Sequence, residues 1–134
     1  MKVICYNNKI YNINLSQYYN KEGENKSSLH LKCRDLIKEV FKMRVVLEEV
    51  YIPIEKLYLD FFIPDFKLVI EVHGAQHFNF NKFHYKDKLD FYNSQGRDNK
   101  KREFCKNNKF YLVELSYNEK VSEWRNKLLN YKTN

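Results

Sequence analysis

The feature that most narrows what this chain can fold into is an apolar stretch broken once by a turn: residues 57–78 read LYLDFFIPDFKLVIEVHGAQHF. Leu, Val, Ile, Phe and Tyr on both sides of Pro64-Asp65 have strand composition, and the proline supplies the fixed φ of a tight turn. A third run, residues 45–52 (VVLEEVYI), precedes them across a turn containing Pro53. Three consecutive strands, 45–52, 57–63 and 67–73, predict an antiparallel meander.

The remaining chain supplies what surrounds that meander. Residues 3–6 and 10–15 are β-prone and flank Asn-Asn-Lys, predicting an N-terminal hairpin, and the polar segment 18–28 reads as a surface loop ending in two serines that can cap a helix. Leu29, Cys33, Leu36 and Val40 share one helical stripe. Residues 86–107 are helical in pattern with an interruption expected at Gly96, residues 110–116 (FYLVELS) form a compact strand, and Trp124, Leu128 and Tyr131 mark a closing helix. The predicted class is α/β, a mixed central sheet flanked by helices with an N-terminal hairpin. A chain of 134 residues builds one domain: hairpin and loop over 1–26, core over 27–117, closing helix over 118–134.

Composition then excludes several classes. With 43% hydrophobic and 16% aromatic residues against 3 Gly and 2 Pro, the chain is neither disordered nor collagenous. No window approaches a membrane span, and the N-terminus has no signal-peptide pattern, so a soluble protein kept inside the cell is expected. Cys5, Cys33 and Cys105 are odd in number, far apart and without a C-x-x-C pair, which predicts reduced packing residues rather than zinc ligands or disulfides. A net charge of +7 favours a polyanionic partner.

The chemistry concentrates in the apolar stretch. Strand alternation puts Val69, Glu71 and His73 on one face and Leu68, Ile70 and Val72 on the other. A tight turn centred on Asp65 and Phe66 sets Asp60 directly opposite Glu71, and two carboxylates that close repel unless a proton or a cation sits between them. Such an oxygen-rich pair suits Mg²⁺, which takes one or two carboxylates and keeps water and phosphate oxygens as its other ligands. His73 would stand beside that water as a proton acceptor or phosphate-facing donor.

The pattern D-F-x-I-P-x-x-x-L-V-I-E-x-x-G-x-Q-H, running from Asp60 to His77, resembles the core of the PD-(D/E)XK nuclease superfamily, in the branch of very-short-patch repair endonucleases and phage homing endonucleases. The resemblance covers residues 27–117. It implies a restriction-endonuclease-like core, with Asp60 and Glu71 as metal ligands for Mg²⁺, for which Mn²⁺ substitutes. His73 stands where the parent motif has lysine, as in the patch-repair-like branch. His77 resembles that branch's second histidine, and Arg97-Asp98 the Arg-Asp pair before the last core strand, whose aspartate supports the histidines. Where many relatives carry a glutamate early in the first helix this chain has His30, so the fourth active-site acid stays unassigned.

The implied activity is Mg²⁺-dependent hydrolysis of DNA phosphodiester bonds by a phage-type homing or patch-repair-like endonuclease acting in the host cytoplasm, with no organic cofactor and no membrane partner. For double-stranded DNA, Lys82, Lys86, Lys100, Lys101 and Arg102 are the expected phosphate anchors, and Phe78 is expected to wedge into or stack on bases. Asp98 and Lys101 share a helical face by their spacing. Specificity then comes from the hairpin and aromatic loop, or from a homodimer that doubles the contact area. A structure-selective nuclease, an RNA-directed one and a catalytically silent binding module remain open alternatives.

Overall fold

The computed structural model describes residues 1–75 and 88–133. It opens with a two-stranded antiparallel hairpin, β1 (Lys2–Ile4) and β2 (Ile10–Asn12), in the register Val3↔Tyr11. Both strands are shorter than the sequence suggests. Asn14 accepts from Ser16 N at 3.1 Å and starts a 3-10 turn over Leu15–Tyr18, which ends the second strand.

Helix α1 (Ser28–Val40) begins where Ser27 accepts from His30 N at 3.2 Å, the side-chain cap that the paired serines offered. It buries Cys33 and Leu36 of the predicted stripe, with Leu29 and Val40 partly buried, and adds His30 and Ile37. The meander follows as β3 (Leu47–Ile52), β4 (Leu57–Ile63) and β5 (Leu68–His73). A 3-10 turn over Pro64–Phe66, closed by Lys67 at φ 50°, joins the last two and sets the expected register, Ile63↔Leu68 through Phe61↔Ile70.

Helix α2 (Lys88–Asn107) crosses over to β6 (Tyr111–Ser116), which lies parallel to β5, so the four-stranded mixed sheet has the order β3-β4-β5-β6. The interruption expected at Gly96 does not occur. The helix runs through it, because the backbone hydrogen-bond ladder needs no side chain and one glycine costs only about 1 kcal/mol. Helix α3 (Val121–Leu129) closes the chain, followed by a 3-10 turn over Tyr131–Thr133.

The sheet carries a core on each side. One cluster joins the hairpin residues Val3 and Cys5 to Leu57, Leu59, Val69 and Phe104; the other joins Cys33 and Ile37 of α1 to Phe61, Ile70, Trp124 and Leu128. All three cysteines are reduced and buried within these clusters, as their spacing predicted.

Along β4 the two-residue alternation slips. Leu57 and Leu59 point into the first cluster but Phe61 and Ile63 into the second, so the change of face falls at Asp60. Across the ladder, Leu47 and Val50 both enter the first cluster and Glu49 between them takes φ 53°. The slips in the two adjacent strands are matched, at Glu49 and Asp60. Among the described residues no helix is long and apolar enough to cross a membrane.

Candidate active site

Asp60 and Glu71 meet where the antiparallel ladder ends. Above Phe61↔Ile70 the two carboxylates replace the next backbone pairing: Asp60 N donates to Glu71 Oε2 at 2.8 Å, and Val72 N donates to Asp60 Oδ2 at 2.8 Å. Each acid thus spends one oxygen on a strand N–H that would otherwise be orphaned, and the carboxylates lie interleaved between β4 and β5. The expected pairing of Asp60 with Glu71 is met in register, by side chain to backbone rather than backbone to backbone.

Helix α2 brings the counter-charge. Lys101 Nζ lies 2.5 Å from Glu71 Oε1, and Asp98, one turn earlier, lines the same cleft as Asp60 and Lys101. Burial pushes the Glu71 carboxyl above its ordinary range and the Asp60 charge adds to this, outweighing the pull of Lys101. Burial alone would discharge Lys101, but Glu71, Asp60 and Asp98 hold its ammonium more firmly charged than usual. Glu71 pairs directly with the Lys101 ammonium and Asp60 adds its charge beside them, so acidic groups cluster inside a chain of net charge +7.

The cleft over this cluster has a volume of about 570 Å³. Its walls come from the start of α1 at Ser27 and His30, from Tyr58 and Asp60 of β4, and from Arg97 and Asp98 of α2. Among the described residues no donor meets Asp60 Oδ1, and no group of three or more His, Cys, Asp and Glu side chains gathers as a metal cage.

His73 shares the face of Glu71, as the alternation requires, but the cleft passes Val72 and Gly74 and leaves it behind them. Its ring is buried with Nδ1 3.8 Å from Glu114 Oε2 on the parallel strand. Burial would raise Glu114, yet the hydrogen bonds from Arg102 and the charges of His73 and Arg102 outweigh it and hold that carboxyl low.

Three of the expected phosphate anchors have protein partners. Lys101 belongs to the acid pair. Arg102 grips Glu114 with both arms, at 2.6 and 3.0 Å. Lys100 donates to the Glu55 carbonyl at 2.9 Å and lies over the Tyr6 ring, tying α2 to the hairpin. His77, Phe78, Lys82 and Lys86 lie outside the described residues.

Sequence reasoning missed a second buried charge network. Glu48 of β3 accepts from Arg34 Nε at 2.8 Å, Arg34 Nη2 at 2.9 Å and Gly23 N at 3.2 Å, and meets His30 Nε2 at 2.9 Å. The His30 ring stacks on Phe61 at 4.5 Å between centroids. Burial opposes ionisation of Glu48, but His30, Arg34 and Gly23 together bring its carboxyl down to about 2. The signal was the pair Glu48-Glu49 inside an apolar strand, read only as strand composition. Position 30, where the resemblance expects an acid, holds a histidine bound to an acid from β3.

Comparisons with known proteins give no function. The chain is 41% identical over 64 residues, 48% of its length, to "Uncharacterized protein 307L" of Invertebrate iridescent virus 6. It is 39% identical over 67 residues, 50% of its length, to "Uncharacterized protein 033L" of Invertebrate iridescent virus 3. It spans about a third of the length of these relatives, 32% and 34%. No family model and no solved structure matches.

Proposed function

We propose that this chain is a metal-dependent DNA endonuclease of the PD-(D/E)XK kind, hydrolysing phosphodiester bonds at the cleft over Asp60 and Glu71. The observation that carries the reading is the interleaved acid pair where the β4–β5 ladder ends, with Asp60 lining an open cleft in a protein of net charge +7. The donor set fits a hard divalent cation such as Mg²⁺, which favours carboxylate oxygens and accepts a site with few protein ligands. Asp60 and Glu71 would hold it, and when bound it supplies charge for the phosphate under attack and a more acidic water.

The chain's own residues contribute orientation and charge. The two strand N–H groups fix the rotamers of both acids, so the pair is set before substrate arrives. Lys101, anchored on Glu71, presents an ammonium where a scissile phosphate would meet the acids, and Arg97 at the cleft wall adds a second cation. Glu114, itself held by Arg102, faces the His73 ring at the end of β5, the strand bearing Glu71. The reading places the protein inside a host cell, with double-stranded DNA as substrate.

The test is cleavage of supercoiled plasmid with Mg²⁺, Mn²⁺ or EDTA. Cutting is expected with either cation and not with EDTA, and Asp60→Asn and Glu71→Gln are expected to lower the rate at least about 100-fold while the fold survives. A wild-type protein that cuts no DNA and takes up no Mg²⁺ in calorimetry would sink the reading.

A further inference from the structure

Tyr58 lines the same cleft as Asp60 and lies two positions before it on β4, about 6.7 Å along the strand. Leu57 and Leu59 turn into the first core cluster, so Tyr58 stands on the opposite face of β4, and it is 51% exposed. The ring is nevertheless held in place. Tyr51 lies directly across the ladder with its ring centroid 4.6 Å away, tilted 37°, and Tyr51 N is itself tied to the Tyr18 hydroxyl at 3.1 Å. Lys56 is exposed on the same cleft wall. An ordered aromatic surface beside a lysine, one nucleotide's reach from an acid pair, has the makings of a base-stacking platform.

We propose that the cleft takes a DNA strand carrying an unpaired nucleotide at the point of attack, with Tyr58 stacked on that base while its phosphate faces Asp60. This rests on the nuclease reading and adds the substrate class. Inside a paired duplex both faces of a base are covered by its neighbours, and its edge is bonded to the partner strand. A protein ring beside the scissile phosphate finds a free face only where the base is unpaired, terminal or drawn out of the stack. Stacking discriminates little between bases, so the preference is for the unpaired state rather than for a sequence.

The experiment is equilibrium binding of the full chain, in EDTA, to DNA carrying 2-aminopurine either unpaired at a one-nucleotide bulge or paired in a duplex of otherwise identical sequence. The wild type is expected to bind the bulged DNA about 10-fold more tightly and to quench its fluorescence. Tyr58→Phe keeps that preference, whereas Tyr58→Leu, which retains bulk and strand propensity but has no ring face, loses it. Equal affinity of the wild type for both DNAs, or a preference that survives in Tyr58→Leu, overturns the proposal. Because no cation is present, binding is read apart from cutting. A protein that prefers the bulge and never cuts with Mg²⁺ loses the nuclease reading alone; one that cuts plasmid and shows no preference loses this inference alone.

Discussion

Glu48 shows at the scale of one residue how burial and partners compete. An ionised carboxylate that is 5% exposed would be costly alone, but two arms of Arg34, the Gly23 amide and His30 leave it better solvated by protein than by water. Its folded pKa of about 2 lies below the ordinary 4.5, so the unfolded chain binds the proton more readily. The stabilisation is therefore complete above about pH 5 and is lost as pH falls toward 2. It is on the order of 3 kcal/mol. Urea denaturation at a series of pH values is expected to show wild-type stability falling through this window more steeply than that of Glu48→Gln. Parallel curves for the two proteins would mean that Glu48 titrates alike in both states. Glu71 is shifted the other way, by burial and the Asp60 charge, so the comparison with the variant isolates Glu48.

Among the elements, α2 makes the most charged contacts around the cleft on the weakest local pattern. Its residues supply Asp98 and Lys101 to the cleft, Arg102 to Glu114, Lys100 to the hairpin and Phe104 to the first core. Few of its described positions are apolar, and Gly96 sits mid-helix with nothing within 4 Å of where a Cβ would stand. Gly96→Ala should therefore gain helix propensity without a clash, raising stability by about 0.5–1 kcal/mol. A higher midpoint in thermal unfolding, with the circular dichroism spectrum unchanged, is the expected result. A lower midpoint would show that the glycine's conformational freedom is used.

For the whole molecule, the sheet is the wall shared by two cores, one with the hairpin and Phe104, the other with α1 and α3. Both sides rest on this one four-stranded sheet, the hairpin adding only a short two-stranded pair to the first, so the halves should melt together. The chain's single tryptophan, Trp124, is buried in the second cluster with Nε1 donating to Ser116 O at 3.0 Å, and its fluorescence reports that side. Urea transitions followed by this fluorescence and by far-ultraviolet circular dichroism are expected to coincide. Separated midpoints would show that α1 and α3 detach before the sheet is lost.

Much of the architecture is readable in the sequence because it is dictated by short-range physics. Strand composition around Pro64 determines β4, β5 and their register, the four- and three-residue spacing of Leu29, Cys33, Leu36 and Val40 determines α1, and Ser27 caps it. The same alternation placed Asp60 against Glu71 and put Glu71 and His73 on one face. What local pattern does not encode is which distant charges meet. Lys101, Arg102 and Lys100 are alike as exposed helical cations in sequence, and only the packing of α2 assigns them to Glu71, Glu114 and Glu55. Glu48 reads as one more strand residue until α1 lays Arg34 and His30 over it. Periodicity is a property of neighbours along the chain, whereas the partner of a buried charge is chosen by the low-dielectric space that distant elements close around it, and that space exists only in the tertiary structure.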